Sequence, residues 1–456
     1  MIKYSTKQEF LNRSESNSIR RKIFLSSVAI IFSINFCVSQ DLPRSASFGA
    51  QVRDLNDSSM TALKLSSKDG TLIQRVLPGS AAASAKFMEN DVLVTFNKEK
   101  IQNTAQFLRM LKEKNGGDKI NITYYRQSQL NTVTVVLAAK PMETSNSYDI
   151  IYSSVVSGSN HLRTIITKPK GNAVYPAVLI IGGVGCYSID NSNLPEIASF
   201  RMWVDSLTAN GYVTMRVEKT GMGDSRGIPC SECDFKTEAH GFLDGLKQLK
   251  SLPYVNTEKI FLAGFSIGGV IAPLLAQEEA VKGIIVYGTV GRNWLEYELE
   301  NASRQQVLEK RPADSIDIYM RGEYIRLYQL FVEKKQPEQI LAEHPETAGH
   351  LFRYPMRTEY FQQVADINIR ELWMKTTVKV LALHGASDFV SSGIEHKQLA
   401  ETVNAYHPGN ATYIEVPNAD HWSLNAASEW DSYLGQETKV NPAPIVTSLQ
   451  WLKSNT

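Results

Sequence analysis

Hydrophobic residues recur along the chain in two rhythms, and the rhythm changes near position 141. Before it, short stretches alternate apolar and polar residues in the manner of half-buried strands: 48–52, 70–76, 90–97, 120–124 and 133–136. The second of these breaks at Pro78-Gly79 into a turn of small residues. One amphipathic helix is expected among them, capped by Thr104, with Phe107, Leu108 and Leu111 on a shared face. The segment 142–147 is short and polar and reads as a linker.

From Tyr148 onward strands and helices take turns. Residues 149–154 and 162–167 read as an opening antiparallel pair, and 174–181 as a strand covered on both faces. Further strands are expected at 212–217, 260–263, 284–287, 378–383 and 412–416. Helices are expected at 194–207, 237–252, 270–277, 393–403 and 445–452. This order predicts an α/β class: a mostly parallel sheet with helices on both faces, and chemistry at the carboxyl ends of its strands. Between strands, 292–376 is helical and rich in aromatic residues (Trp294, Tyr297, Tyr319, Tyr324, Tyr328, Phe331, Tyr354, Tyr360 and Phe361). It is expected to form a helical cap whose aromatics mostly pack on one another.

Composition adds three constraints. A chain of 456 residues exceeds one ordinary domain, and its net charge of +1 gives no reason to expect nucleic acid as a partner. Arg20-Arg21-Lys22 precedes an apolar run over 23–36 and the small residues of Cys37-Val38-Ser39. That run is short for a membrane span and suits a signal peptide over 1–39, with Gln40 as the mature N-terminus. The protein is therefore expected to be exported, periplasmic or secreted, with no stable membrane span after processing; an uncleaved anchor is the alternative. The cysteines are Cys37, Cys186, Cys230 and Cys233, too few for a disulfide scaffold. Cys230-Ser-Glu-Cys233 is expected to hold a local disulfide, or one to Cys186, in an oxidising compartment, with free thiols as the alternative. Zinc there would need a fourth ligand that the sequence does not supply, so neither metal nor cofactor is expected.

Candidate chemistry centres on Ser266. The strand at 260–263 runs into Gly264-Phe265-Ser266-Ile267-Gly268, and a small-residue helix follows at once. A G-x-S-x-G string in a strand–turn–helix setting presents its serine at the end of a sheet. A second match, Gly223-Asp224-Ser225-Arg226-Gly227, lacks the preceding strand and the following helix and is read as a surface loop. A serine hydroxyl needs a base held by a third group. Asp388 and His421 each follow a predicted strand and come after the serine in the order Ser, Asp, His. His384 ends a buried strand, and Asp420, adjacent to His421, cannot easily reach back to its Nδ1. Ser266, Asp388 and His421 are therefore the expected nucleophile, acid and base.

Two resemblances accompany these readings. The Phe-Gly loop at 48–49, the turn Val76-Leu-Pro-Gly-Ser80 and the strand Asn90-Asp-Val-Leu93 resemble a PDZ domain of the bacterial exported kind over 45–141. Asn90 and Asn97-Lys98 depart from the family's usual turn residues. The resemblance implies a groove in which the amides of Phe48, Gly49 and Ala50 cradle a peptide C-terminus. Residues 148–456 resemble an α/β-hydrolase, most nearly bacterial esterases related to dienelactone hydrolases and prolyl-oligopeptidase-type peptidases. Arg216–Ser225 echoes that group's R-x-D-x-R-G-x-G-x-S loop, with Glu218 for the aspartate and Thr220 for the arginine. The resemblance implies oxyanion donors at the backbone N–H of Ile267 and of Val184, in Gly182-Gly183-Val184-Gly185. It also implies a serine hydrolase for carboxylic esters that proceeds through an acyl-enzyme. A peptidase for short peptides is the alternative within enzymes, and a non-catalytic PDZ-containing binding protein the alternative outside them.

Overall fold

The computed structural model describes residues 42–190, 195–350, 356–435 and 439–456. The expected signal peptide with Cys37, the start of the helix at 194, and Tyr354 lie outside the described residues.

The first part of the chain folds as a small β-rich unit with three helices, Asp57–Leu63, Ala81–Ser84 and Thr104–Lys112. Its strands are β1 (Ala46–Ser47), β2 (Ala50–Asp54), β3 (Thr71–Val76), β4 (Val92–Phe96), β5 (Glu99–Lys100), β6 (Lys119–Arg126), β7 (Gln129–Val136) and β8 (Ala138–Ala139). The main sheet runs β2-β3-β4-β6-β7, which leaves β2 at an edge, while β1 pairs with β8. Alternation works as the pattern requires: Ile120, Ile122 and Tyr124 turn inward beside Phe48, Phe96 and Phe107. The helix Thr104–Lys112 is capped by Asn103, whose side chain accepts from Gln106 N at 2.9 Å; Thr104 is its first residue and not its cap. Phe107 is buried, but Leu108 is half exposed, so the expected three-residue face is narrower by one.

The second part builds an eight-stranded sheet from β9 (Tyr148–Ser157), β10 (Asn160–Pro169), β11 (Tyr175–Ile181), β12 (Val213–Val217), β13 (Val255–Phe265), β14 (Gly283–Tyr287), β15 (Lys379–Gly385) and β16 (Ala411–Val416). Its order is β9-β10-β12-β11-β13-β14-β15-β16. The opening strands pair antiparallel, and every pairing from β12 onward to β16 is parallel. The parallel strands are the continuous apolar runs of the sequence, because helices cover both of their faces. Pro195–Ala209 and Ala443–Asn455 lie over one face around Trp203, Phe261 and Leu381, and Phe235–Ser251 and Gly268–Glu278 over the other. Between β14 and β15 come the helices Trp294–Leu308, Ala313–Phe331, Pro337–Glu343, Thr358–Ala365 and Ile369–Met374. Tyr360, Phe361 and Phe331 are buried among them, whereas Tyr324 and Tyr328 are exposed.

The segment 142–147 is not a free tether. Glu143 is buried and takes both guanidinium nitrogens of Arg216, at 2.9 and 2.7 Å, and its own N–H donates to Tyr152 Oη at 2.9 Å. Just ahead of β1, Arg44 bridges the two parts. It donates to Pro141 O at 2.8 Å and Lys140 O at 3.2 Å, and it pairs with Asp190 at 2.6 Å and with Asp224. Asp224 also receives Ser45 N at 2.8 Å and Arg163 Nε at 3.0 Å. Burying so many charges is tolerable only because each has a partner.

Candidate active site

At the end of β13 the backbone turns sharply. Ser266 sits at φ +52°, a left-handed conformation that non-glycine residues adopt rarely and at a cost. The turn is locked from outside: Ser266 N donates to Tyr287 O, and Thr289 Oγ1 donates to Ser266 O, each at 2.9 Å. Close approach explains the flanking glycines. A Cβ on Gly264 would lie 2.4 Å from Gly268 O, and one on Gly268 would lie 2.3 Å from Ile181 O. Ile267 follows the serine at the start of the helix Gly268–Glu278.

The other expected site residues come from the next strand ends. Asp388 follows β15 and is fully buried. Its carboxylate accepts from Val390 N at 2.7 Å, Ser391 N at 2.9 Å, Ser391 Oγ at 3.0 Å and His421 Nδ1 at 2.8 Å. A carboxylate can only accept, so Nδ1 carries a proton, and in the neutral imidazole Nε2 keeps its lone pair. Burial works against the charge of Asp388, but the His421 cation, its hydrogen bond and the Ser391 amide outweigh it and bring the carboxyl down to about 2. Burial likewise lowers His421, and the Asp388 charge and hydrogen bond outweigh that to raise it above its ordinary value.

Ser266, Ile267, Gly183, Val184 and His421 all line one cavity of about 430 Å³. Its remaining wall is apolar, built from Phe200, Phe265, Trp294, Tyr297, Val390 and Trp422, with the polar atoms of Tyr187 and Ser199 nearby. Among the described residues, Trp294 and Tyr297 are the aromatics of the helical insertion that reach it. Phe48, Gly49 and Ala50 are not part of this cavity. Phe48 is buried in the first part, its O accepting from Ala82 N at 2.9 Å, and Gly49 O accepts from Leu77 N at 3.0 Å.

Other polar residues around the site, the rivals Asp420 and Ser225 among them, have structural roles. Asp420 accepts from Trp422 N at 2.9 Å and Leu424 N at 2.7 Å and so closes the turn that carries His421. His396 Nε2 accepts from Thr289 N at 2.9 Å; burial, reinforced by the His384 charge, pushes it down to about 3, which keeps it a neutral acceptor. Gly223–Gly227 is a loop as expected, with Gly227 exposed, but its Asp224 and Ser225 turn inward. Ser225 is buried, accepts from Arg163 N at 2.9 Å and donates to Glu218 O at 3.0 Å, so it staples two segments together.

The cysteines pair as Cys186–Cys230, which ties the loop after β11 to the short 3₁₀ turn Cys230–Glu232. Cys233 is a buried free thiol, pushed up to about 12 by burial and the nearby carboxylates Glu238 and Asp234. The C-x-x-C therefore does not close on itself.

Two residues at the site escaped sequence reasoning. Gly288, just after β14, has φ +62°, and a Cβ there would stand 2.9 Å from His421 Nδ1 and 3.2 Å from Asp388 Oδ2. Its place directly after a parallel strand is the signal that could have found it. Lys219, in the loop after β12, donates to Gly183 O at 2.7 Å. No pattern in the sequence marks it.

Comparison with known proteins places both parts of the chain among known families. A PDZ domain model matches residues 46–137, and the family model described as "Serine aminopeptidase, S33" matches residues 196–425, just over half of the chain. A probable periplasmic serine endoprotease DegP-like from Marinomonas sp. is 28% identical over 93 residues, 20% of each chain. The chain thus spans about a fifth of the length of the curated relatives it matches. Among solved structures, Est1E from Butyrivibrio proteoclasticus is 15% identical over 66% of this chain and 96% of its own, with a TM-score of 0.42. A putative dipeptidyl aminopeptidase IV from Bacteroides ovatus is 17% identical over 74% of this chain and 40% of its own, with a TM-score of 0.44. Behind an N-terminal PDZ domain, the chain belongs to the serine aminopeptidase S33 family of serine hydrolases with the α/β-hydrolase fold.

Proposed function

We propose that the protein is an exported serine hydrolase that cleaves carboxylic esters of neutral, apolar acids. The observation that carries this reading is the His421–Asp388 pair at 2.8 Å opening onto the same apolar cavity as Ser266. His421 Nε2 takes the Ser266 proton as Oγ attacks the acyl carbonyl, and Asp388 holds the tautomer and stabilises the imidazolium. The N–H groups of Ile267 and Val184 receive the oxyanion, an effect of about 3–4 kcal/mol per donor in related chemistry. His421 then returns its proton to the leaving alkoxide, and water releases the acid in a second round. An acyl group seats against Phe200, Phe265, Trp294 and Trp422, where no charged side chain among the described residues lines the wall.

Export is supported by the basic-then-apolar N-terminal run and by the Cys186–Cys230 disulfide, which persists in oxidising compartments. Among the described residues no helix is long and apolar enough to cross a membrane. We divide the chain at 1–39, 45–141, 142–147 and 148–456, with a cap at 292–376. In the PDZ part, the edge strand β2 beside the Phe48–Ala50 loop is the place for a peptide C-terminus to add as a strand.

The test is hydrolysis of p-nitrophenyl acyl esters together with fluorophosphonate labelling. Ser266→Ala is expected to abolish both, and Ser225→Ala to keep both; ester hydrolysis by Ser266→Ala at the parent rate overturns the reading. The family description favours a second reading, an aminopeptidase. Aminoacyl p-nitroanilides turned over faster than matched esters would select it.

A further inference from the structure

We infer that Lys219 is a positioning residue for the oxyanion site and acts through the peptide bond between Gly183 and Val184. The inference rests on the reading of Ser266 as nucleophile. Lys219 Nζ donates to Gly183 O at 2.7 Å and pairs with Glu238 Oε1 at 2.9 Å, and the two side chains are only 8% and 3% exposed. The carbonyl it holds belongs to the same amide plane as the Val184 N–H.

A trans peptide points its C=O and N–H in opposite directions. With Gly183 O turned to the buried ammonium, the Val184 N–H is directed away from Lys219. Gly183 and Val184 line the cavity with Ser266, and a Cβ on Gly183 would stand 3.3 Å from Ser266 Cβ. Fixing the oxygen therefore fixes the direction of the donor. It also strengthens that donor: a cation on the carbonyl oxygen draws electron density through the amide and makes its N–H a better hydrogen-bond donor. A donor already oriented before an oxyanion forms needs no reorganisation when it does.

The rest of the chain of contacts explains how a buried ammonium is kept in place. Glu238 lies on the helix Phe235–Ser251, and Tyr360 Oη of the helix Thr358–Ala365 donates to Glu238 Oε1 at 3.1 Å. The helical insertion thus reaches the oxyanion loop through Tyr360, Glu238 and Lys219. Cys186, two residues after Val184, anchors the same loop through its disulfide to Cys230. The disulfide limits where the loop goes, and Lys219 sets how one peptide plane within it faces.

The experiment compares the full chain with Lys219→Met, Lys219→Arg and the double variant Lys219→Met/Glu238→Gln. The double variant removes the unpaired carboxylate that the single one leaves buried. For p-nitrophenyl butyrate, the methionine variants are expected to lose about 10- to 100-fold in kcat with KM within about twofold, less than the loss of a whole oxyanion donor. Affinity for a trifluoromethyl ketone, which forms a tetrahedral adduct on the serine, is expected to fall by the same factor as kcat/KM, while inhibition by butyrate stays unchanged. Lys219→Arg, which keeps a cationic donor, is expected to recover part of the loss. A double variant with parental Tm whose kcat and ketone affinity stay within twofold of the parent overturns the inference. Failure of the underlying reading looks different: Ser266→Ala would then retain the parent's ester hydrolysis.

Discussion

His421 Nδ1 lies 2.8 Å from Asp388 Oδ2, although the two residues are 33 positions apart and hang from the ends of different strands. Gly288 makes the approach feasible, since a side chain there would touch both partners. The first prediction follows from their charges. The reaction needs neutral His421, so kcat/KM should rise with pH through an inflection above the ordinary imidazole value, because Asp388 raises the histidine. Asp388→Asn should move that inflection down and lower kcat by about 10⁴-fold, as seen when a triad acid is neutralised. A pH–rate profile of both proteins checks it.

The same pair makes stability depend on pH in two windows. Asp388, lowered to about 2, contributes stability that is present above the ordinary carboxylate pKa and is lost as pH falls through about 2. His421, raised, contributes stability that is full below the unfolded imidazole pKa and is lost as pH rises through its folded value. Urea unfolding of the parent and of His421→Ala across pH should converge on the alkaline side.

Gly264→Ala drives a Cβ to 2.4 Å from Gly268 O, and Gly268→Ala drives one to 2.3 Å from Ile181 O at the end of β11. Backbone cannot step aside as a flexible side chain can, so each should cost about 3–5 kcal/mol, at the upper end of single substitutions. Activity should fall in whatever protein still folds. Denaturant midpoints and fluorophosphonate labelling report the two effects separately.

Reduction of Cys186–Cys230, or Cys230→Ala, opens a covalent loop spanning 44 positions. Chain entropy sets the expected loss at about 4 kcal/mol. Cys233 is buried and its thiol is held protonated, so it should resist alkylation in the native protein and react once the protein unfolds. Denaturant midpoints with and without reductant check the first statement, and thiol counting with and without denaturant checks the second.

Arg44→Ala should loosen the contact between the PDZ part and the hydrolase. It leaves Asp190 without its arginine and Asp224 with Arg163 alone. Breaking a buried pair from one side costs about 3–5 kcal/mol. Limited proteolysis should then cut within 140–147, a segment that Arg44 and Glu143 otherwise pin down.

Much of this protein is legible in its sequence because the relevant physics is local. Continuous apolar runs identify strands buried on both faces, and the strand–glycine–serine–glycine–helix string around Ser266 dictates a tight turn wherever it lies. Terminal residues were less legible: Asn103 and not Thr104 caps the first domain's helix, since either side chain could have accepted the free amides. The 142–147 segment reads as a tether because its neighbours are polar, yet Glu143 is buried against Arg216 across 73 positions. Burial of a charge depends on a distant partner, and composition carries no trace of it.

The α/β alternation, the sharp turn at Ser266 and the chain order of Ser266, Asp388 and His421 are set by rhythm and spacing along one chain. Which contacts form across that chain depends on the assembled fold. Assembly pairs Cys230 with Cys186 and not Cys233, buries Ser225 of the second G-x-S-x-G string, brings Trp294 and Tyr297 to the cavity and sets Lys219 against the Gly183 carbonyl. Each of these depends on separations in space between residues tens of positions apart. Those separations exist only once the sheet is assembled.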